Sequence, residues 1–266
     1  MVGENISLTQ LALAQLAHGE PAAALQATTE TFAIILAGGL GTRLRAAVPD
    51  LPKPMAPIAG RPFLEYLLDY WAAQGIRRFI LSVGYRSGAI RDHFGATYHG
   101  VSVDYAEETS PLGTGGGLLL AARLLEGNAP VLVLNGDTFF AVDLAQLADF
   151  HHHSHSDWTF CTFRTCESGR YLGMDIAPGG RVKSFRNNLG SCERLVNGGI
   201  YLLAPALLAA AGYSPGKALS LEEQLFPTLL AQGCRFYGTE FPGSFIDIGL
   251  PEDYARAAAI LAIRHV

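Results

Sequence analysis

Leu36-Ala-Gly-Gly-Leu-Gly-Thr-Arg-Leu44 is followed closely by Pro52-Lys-Pro-Met55. Small residues at Ala37, Gly38, Gly39 and Gly41 let backbone N–H groups crowd around phosphate oxygens, and Arg43 and Lys53 add two fixed positive charges. The combination predicts a polyphosphate site, with Leu36 and Thr42 as part of its loop. Leu44 stands where a dinucleotide-binding G-x-G-x-x-G would place its third glycine, and no Gly-Lys-Ser/Thr follows, so the dinucleotide and Walker patterns both fail. Asp137 follows the apolar run Val131–Leu134, and Asp247 follows Phe245-Ile246. Two carboxylates at strand ends can converge on one Mg²⁺, a hard cation that also takes phosphate oxygens, although either aspartate alone also reads as a turn former or helix cap. The run His151-His-His-Ser-His155 sits at an expected helix end, far from any second ligand cluster, and reads as a solvated turn rather than a metal site.

These groups need a scaffold that brings loops together. From Thr31 onward, expected strands at 31–37, 78–84, 101–105 and 130–135 alternate with helices at 62–74, 86–93 and 115–125. That alternation implies an α/β fold of Rossmann-like, doubly wound type, with a mixed, mainly parallel sheet. In such sheets ligands bind beyond the carboxyl ends of the strands, where the glycine loop and Asn135-Gly-Asp-Thr138 both lie. After a helix from Leu144 to about Phe150, short strands at 158–164, 172–176, 181–185 and 195–203 predict an appended, mixed α+β lobe carrying the acceptor substrate. It is closed by helices near 220–231 and 251–264 and a strand at 244–248. The chain thus divides into an N-terminal helical extension (1–30) and a domain (31–266) with a half bearing the polyphosphate site, 31–143, and an acceptor-binding half, 144–266. Glu65 and Tyr66 fall on a helix expected to line core and rim.

With 266 residues, 49% of them hydrophobic, the chain has material for a large core. A formal net charge of -5 with no basic run argues against a nucleic-acid partner. Cys161, Cys166, Cys192 and Cys234 show neither C-x-x-C nor zinc spacing and read as reduced thiols. The sequence shows no signal-peptide pattern and no apolar stretch of membrane-spanning length, which points to a cytoplasmic protein without a membrane partner.

The glycine loop with Pro-Lys-Pro-Met resembles the signature of the sugar-1-phosphate nucleotidyltransferases. Pro111-Leu-Gly-Thr-Gly-Gly116, Asn135-Gly-Asp137, Asn197-Gly-Gly-Ile-Tyr201 and Phe245-Ile-Asp-Ile-Gly249 extend the resemblance in order, over Phe32 to about Tyr254. It implies an enzyme whose substrates are a nucleoside triphosphate and a sugar 1-phosphate, whose cofactor is Mg²⁺, and which is open to forming a homo-oligomer. GTP with a heptose 1-phosphate is the leading pair. Mannose 1-phosphate, N-acetylmuramate 1-phosphate with another base, and a non-catalytic regulatory subunit are the alternatives.

It also implies roles. Arg43 would hold the leaving β,γ-phosphates, Lys53 would neutralise charge shared by the α-phosphate and the incoming phosphate, and Asp137 and Asp247 would hold the metal. Pro111, Gly113 and Thr114 match the base-binding turn, where Thr114 also reads as a helix N-cap. Glu108 lies just ahead of it. A single carboxylate can accept guanine N1–H and N2–H₂ together, whereas uracil or thymine offers one donor between two carbonyls, so Glu108 favours GTP, with Glu107 as the alternative. On the acceptor side Gly173, Asn197 and Gly199 match positions that touch the sugar. Many members carry Glu-Lys about ten residues before Asn-Gly-Gly. This chain has Phe185-Arg-Asn-Asn188 there, leaving Arg186 as the candidate cation.

Overall fold

The structure is a computed structural model that describes residues 32–39, 41, 43–44, 48–167, 169–186, 193–214 and 216–262. The N-terminal extension, Thr42, Asn187, Asn188 and Cys192 lie outside the described residues.

In chain order the strands are β1 (Phe32–Leu36), β2 (Pro57–Ile58), β3 (Arg61–Pro62), β4 (Arg78–Val83), β5 (Thr97–Tyr98), β6 (Val101–Glu107) and β7 (Val131–Asn135). They continue as β8 (Thr138–Phe140), β9 (Trp158–Thr165), β10 (Gly173–Ile176), β11 (Val182–Arg186), β12 (Arg194–Leu203), β13 (Phe236–Glu240) and β14 (Phe245–Asp247). Most join one sheet ordered β11-β10-β12-β7-β1-β4-β6-β5, with β9 and β13 attached through β12. The block β7-β1-β4-β6 is parallel, with Ile34 opposite both Ile80 and Val133. Its strands read as continuous apolar runs because both faces are covered. On one face Ile35, Leu81 and Leu134 pack with Phe63, Leu67 and Trp71 of the helix Phe63–Ala73. On the other, Ile34, Ile80 and Val133 pack with Leu118 and with the aromatic group Trp158, Phe160, Tyr201, Phe226 and Phe236.

The sheet is mixed, as expected, and the second half of the chain continues it rather than forming a sheet of its own. β12 runs antiparallel to β7, pairing Ile200 with Leu134, and its ten residues are long enough to pair β9 and β10 as well. Its register against β9 breaks between Asn197 and Tyr201, the segment that holds Gly198 and Gly199. β13 is absent from the sequence reading because Phe236-Tyr-Gly-Thr-Glu240 is short and contains a glycine. It takes a strand conformation by pairing in parallel with β9. The expected strand at 244–248 is β14, which pairs only with β8, placing Asp247 opposite Thr138. Glu65 and Tyr66 lie on the helix Phe63–Ala73 as expected, Glu65 bonded to Arg61 and His93 and Tyr66 to the Ile58 carbonyl.

The histidine run ends the helix Leu144–His153, which Asp143 caps through the Gln146 amide. It is not uniformly solvated. His151 is buried, its Nδ1 2.8 Å from Thr159 Oγ1, and burial lowers its pKa to about 4. No helix among the described residues is long and apolar enough to cross a membrane.

Candidate active site

A cavity of about 460 Å³ opens beyond the carboxyl ends of the parallel strands, lined by Leu36, Ala37, Gly38, Gly39, Gly41 and Arg43 from the glycine loop. Lys53, Glu108, Pro111, Gly113, Thr114 and Asp137 line it too, so one cavity collects every described residue expected to serve catalysis or nucleotide binding. Hydrogen bonds between strand ends fix the arrangement: Ala37 N–H donates to the Ser82 carbonyl, Gly136 N–H to the Leu36 carbonyl, and Glu108 N–H to the Val83 carbonyl.

The electrostatic centre is Lys53. Its Nζ lies 2.6 Å from Asp137 Oδ2 and 3.4 Å from Asp247 Oδ1, although the three residues are far apart in sequence. Lys53 ends a proline-bracketed loop at a short 3₁₀ turn, Asp137 follows β7, and Asp247 arrives on β14. The β8–β14 pairing, together with Ile248 N–H donating to the Asp137 carbonyl at 3.0 Å, joins the two carboxylates. Asp247 is held further by the Gly249 amide at 2.6 Å and by Arg170, whose Nη2 is 3.5 Å from Oδ2. Two aspartates within reach of one ammonium leave most of a hard cation's coordination positions to phosphate oxygens and water. This fits a divalent ion of the Mg²⁺ type, completed by substrate. No group of three or more metal-ligating side chains occurs among the described residues, so the protein alone does not complete such a site.

Glu108 forms the opposite wall. Its Oε2 accepts from Leu112 N–H at 2.9 Å and its Oε1 from the Ser82 hydroxyl at 3.2 Å. A Cβ at Gly38 would stand 2.2 Å from Oε1 and one at Gly117 2.9 Å away, so both glycines make room for this carboxylate. Glu107 is excluded as its substitute, since it faces outward onto the Ser87 hydroxyl at 2.6 Å and Arg91 at 2.8 Å. Arg43 is exposed on the loop wall and has no carboxylate partner among the described residues.

The Pro111–Gly117 turn differs from its sequence reading. The helix begins at Gly113, two residues ahead of the expected 115, with Leu112 at its N-cap and Glu108 capping the Leu112 amide. Thr114 is therefore not an N-cap. Its hydroxyl accepts from Leu221 N–H at 3.0 Å. Gly113 has φ +69° and lies against the Leu219 carbonyl, where a Cβ would come within 2.8 Å. Leu219 O accepts from the Gly115 and Gly116 amides, so much of this glycine-rich run serves to receive the 217–221 segment. That segment brings in Glu222, whose carboxyl pKa is raised chiefly by burial. Sequence reasoning missed Glu222, Ser82 and Arg170, which carry no motif of their own, and gave Asn135 no role although it opens Asn135-Gly-Asp137. Ser82 was readable only as a polar interruption in an apolar strand.

The acceptor-side residues lie outside the cavity lining. Gly173 pairs with Arg186 on one side and Val196 on the other. The Asn197 amide donates to the Tyr201 hydroxyl at 2.8 Å and accepts from Gly199 N–H at 3.0 Å. Gly199 abuts the Asn135 side chain, which does line the cavity. Arg186 is exposed, 3.7 Å from Asp175, and lines neither this cavity nor the smaller one around Arg170.

Residues 32–263 match the nucleotidyl transferase family. The chain belongs to that family. It is 42% identical over 226 residues to the D-glycero-alpha-D-manno-heptose 1-phosphate guanylyltransferase of Aneurinibacillus thermoaerophilus, an alignment covering 85% of this chain and 96% of the relative. The enzyme of the same description from Campylobacter jejuni is 38% identical over 225 residues, covering 84% and 96%. The crystal structure of HddC from Yersinia pseudotuberculosis complexed with GMP-PN superposes with a TM-score of 0.74 at 33% identity, covering 86% of this chain and 98% of that one. The chain is thus a sugar-1-phosphate nucleotidyltransferase, and the cavity is its candidate active site.

Proposed function

We propose that the protein transfers a guanylyl group from GTP to D-glycero-α-D-manno-heptose 1-phosphate with Mg²⁺ as cofactor, releasing pyrophosphate and GDP-heptose, an activated sugar for cell-surface polysaccharide synthesis in the cytoplasm. The observation that carries this reading is the placement of Glu108, Lys53 and Asp137 in a single cavity, with Asp247 3.4 Å from the Lys53 ammonium. The relatives named above support the choice of donor base and acceptor.

An oxygen of the acceptor phosphate attacks the α-phosphorus in line, and the bond to the bridging oxygen of the β-phosphate breaks. The barrier is charge crowding and orientation, so the protein needs cations and backbone donors rather than a nucleophile of its own. Arg43, unpaired by carboxylates among the described residues, holds the β- and γ-phosphates as charge develops on the leaving group. Lys53, positioned by two aspartates, neutralises the α-phosphate and the incoming phosphate together. A bound Mg²⁺ supplies further neutralisation of phosphate charge, and Asp137 and Asp247 would hold it. Backbone amides around Gly38, Gly39 and Gly41 cradle the phosphates, Glu108 accepts from the guanine edge, and Pro111, Gly113 and Thr114 border the base. Gly173, Asn197 and Gly199 shape the acceptor side.

The test is a matrix of nucleoside triphosphates against sugar 1-phosphates, read by pyrophosphate release and product mass. GTP with the heptose 1-phosphate should give the highest kcat/KM, and absence of pyrophosphate with every pair would refute catalysis. Asp137→Asn should shift the divalent-ion titration to higher concentration, and an unaltered titration would remove Asp137 from the metal site.

A further inference from the structure

Sheet order gives the cavity a direction. Glu108 and Ser82 stand at the ends of β6 and β4, the glycine loop at the end of β1, and Asp137 beyond β7. Base, phosphates and reaction centre are thus laid out along β6-β4-β1-β7. In-line transfer requires the acceptor to approach the α-phosphorus from the side opposite the leaving pyrophosphate, and the next strand in the order is β12.

At this junction lie two polar groups with nothing to bond. The Asn135 side-chain oxygen and the Thr138 hydroxyl are buried and have no hydrogen-bond partner among the described residues. They flank Asp137 in sequence and converge on Gly199 of β12. A Cβ at Gly199 would stand 2.6 Å from Asn135 Nδ2 and 3.0 Å from Thr138 Oγ1. Gly199 holds φ +73° beside the register break in β12, and the backbone there lies directly against both side chains. A buried polar atom left unpaired is costly, and in native structures such atoms call for an explanation. Asn135 lines the cavity, and Thr138 directly follows Asp137, which lines it too.

We propose that Asn135 and Thr138 are specificity-determining residues that read hydroxyl groups of the acceptor beside its phosphate. The inference rests on the sugar-phosphate reading above. A sugar hydroxyl is both donor and acceptor, so it can satisfy an amide or a hydroxyl oxygen, whereas a deoxy position cannot. A site built to bond a hydroxyl rejects the analogue lacking it because its own polar groups then stay unpaired.

The test uses Thr138→Val, nearly isosteric, and Asn135→Ala. The KM for the acceptor and the KM for GTP are measured separately, with the intact sugar 1-phosphate and with its mono-deoxy analogues. Each variant should raise acceptor KM about tenfold, the loss of one hydrogen bond of about 1.4 kcal/mol, with GTP KM changed less than about twofold. Each should also lose discrimination against one deoxy analogue. Thr138→Val should melt no lower than wild type, because the hydroxyl it removes has no partner within the described protein. Parallel rises in both KM values, a lowered Tm for Thr138→Val, or unchanged discrimination would overturn the proposal while leaving the sugar-phosphate reading intact. Absence of pyrophosphate release by the wild type with all sugar phosphates would overturn both.

Discussion

Replacing Glu108 by Gln changes one atom and should redirect base preference. The carboxylate serves two protein donors, Leu112 N–H at 2.9 Å and the Ser82 hydroxyl at 3.2 Å, and has lone pairs left for a ligand. Glutamine has only one side-chain oxygen. The Leu112 amide is fixed by the backbone and will keep that oxygen, whereas the Ser82 hydroxyl can rotate and accept. The new NH₂ is then placed at the position of Oε1, in the space that Gly38 and Gly117 leave open. A donor now faces guanine N1–H and N2–H₂. Losing one charge-assisted hydrogen bond and weakening its neighbour costs about 3 kcal/mol, so kcat/KM for GTP should fall about 100-fold. UTP and dTTP, which present carbonyls on both sides of N3–H, should change less than about threefold or improve. The assay is pyrophosphate release at subsaturating nucleotide with one fixed acceptor. Glu107→Gln is the control, since Glu107 bonds Ser87 and Arg91 outside the cavity. An unchanged GTP-to-UTP ratio in Glu108→Gln, or an equal loss in the control, would refute the role of this carboxylate.

Arg43→Ala should lower kcat at least 100-fold while leaving the melting temperature within about 1 °C, because an exposed loop cation contributes to charge stabilisation and not to the core. Steady-state kinetics with a parallel thermal melt separate the two. Arg170→Met should destabilise the fold by about 3 kcal/mol in urea titration, because the Asp253 side chain is 2% exposed and would lose one of its two arginine partners. It should also weaken the divalent-ion response through Asp247. His151 gives the acid limb of stability. Its folded pKa of about 4 is below the usual value near 6.5, so protonation favours the unfolded chain. Its contribution is complete above about pH 6.5 and falls by about 3 kcal/mol as pH drops to 4. Denaturation at pH 7 and pH 4 should show this extra loss in wild type but not in His151→Gln.

Much of the chemistry was legible locally. The glycine loop, Arg43 and Lys53 are close in sequence, so residue type and spacing already describe an anion site. The parallel strands were legible because strands buried on both faces must be continuous apolar runs. Less legible were elements made by pairing. β13 contains a glycine, and β8 is three residues long, too short to show a period, so only a partner strand defines them. The start of the helix at Gly113 was misplaced because glycine is a poor helix former. Glu108 capping Leu112 and the 217–221 segment docking on the run supply what local propensity lacks.

The sequence by itself determined the kind of site: small residues for backbone donors, two cations, two carboxylates, and a glutamate ahead of a glycine-rich turn. Only the tertiary structure decided which of these groups meet. Asp247 reaches Lys53 because β14 pairs with β8, and Glu108 rather than Glu107 faces the cavity because successive strand residues point to opposite faces. Asn135 and Thr138 stand beside Gly199 because β12 joins the sheet next to β7. Residue type fixes what a group can bond and local spacing where nearby groups lie. Contacts across long separations depend on strand pairing, whose partner neither sequence strand specifies alone.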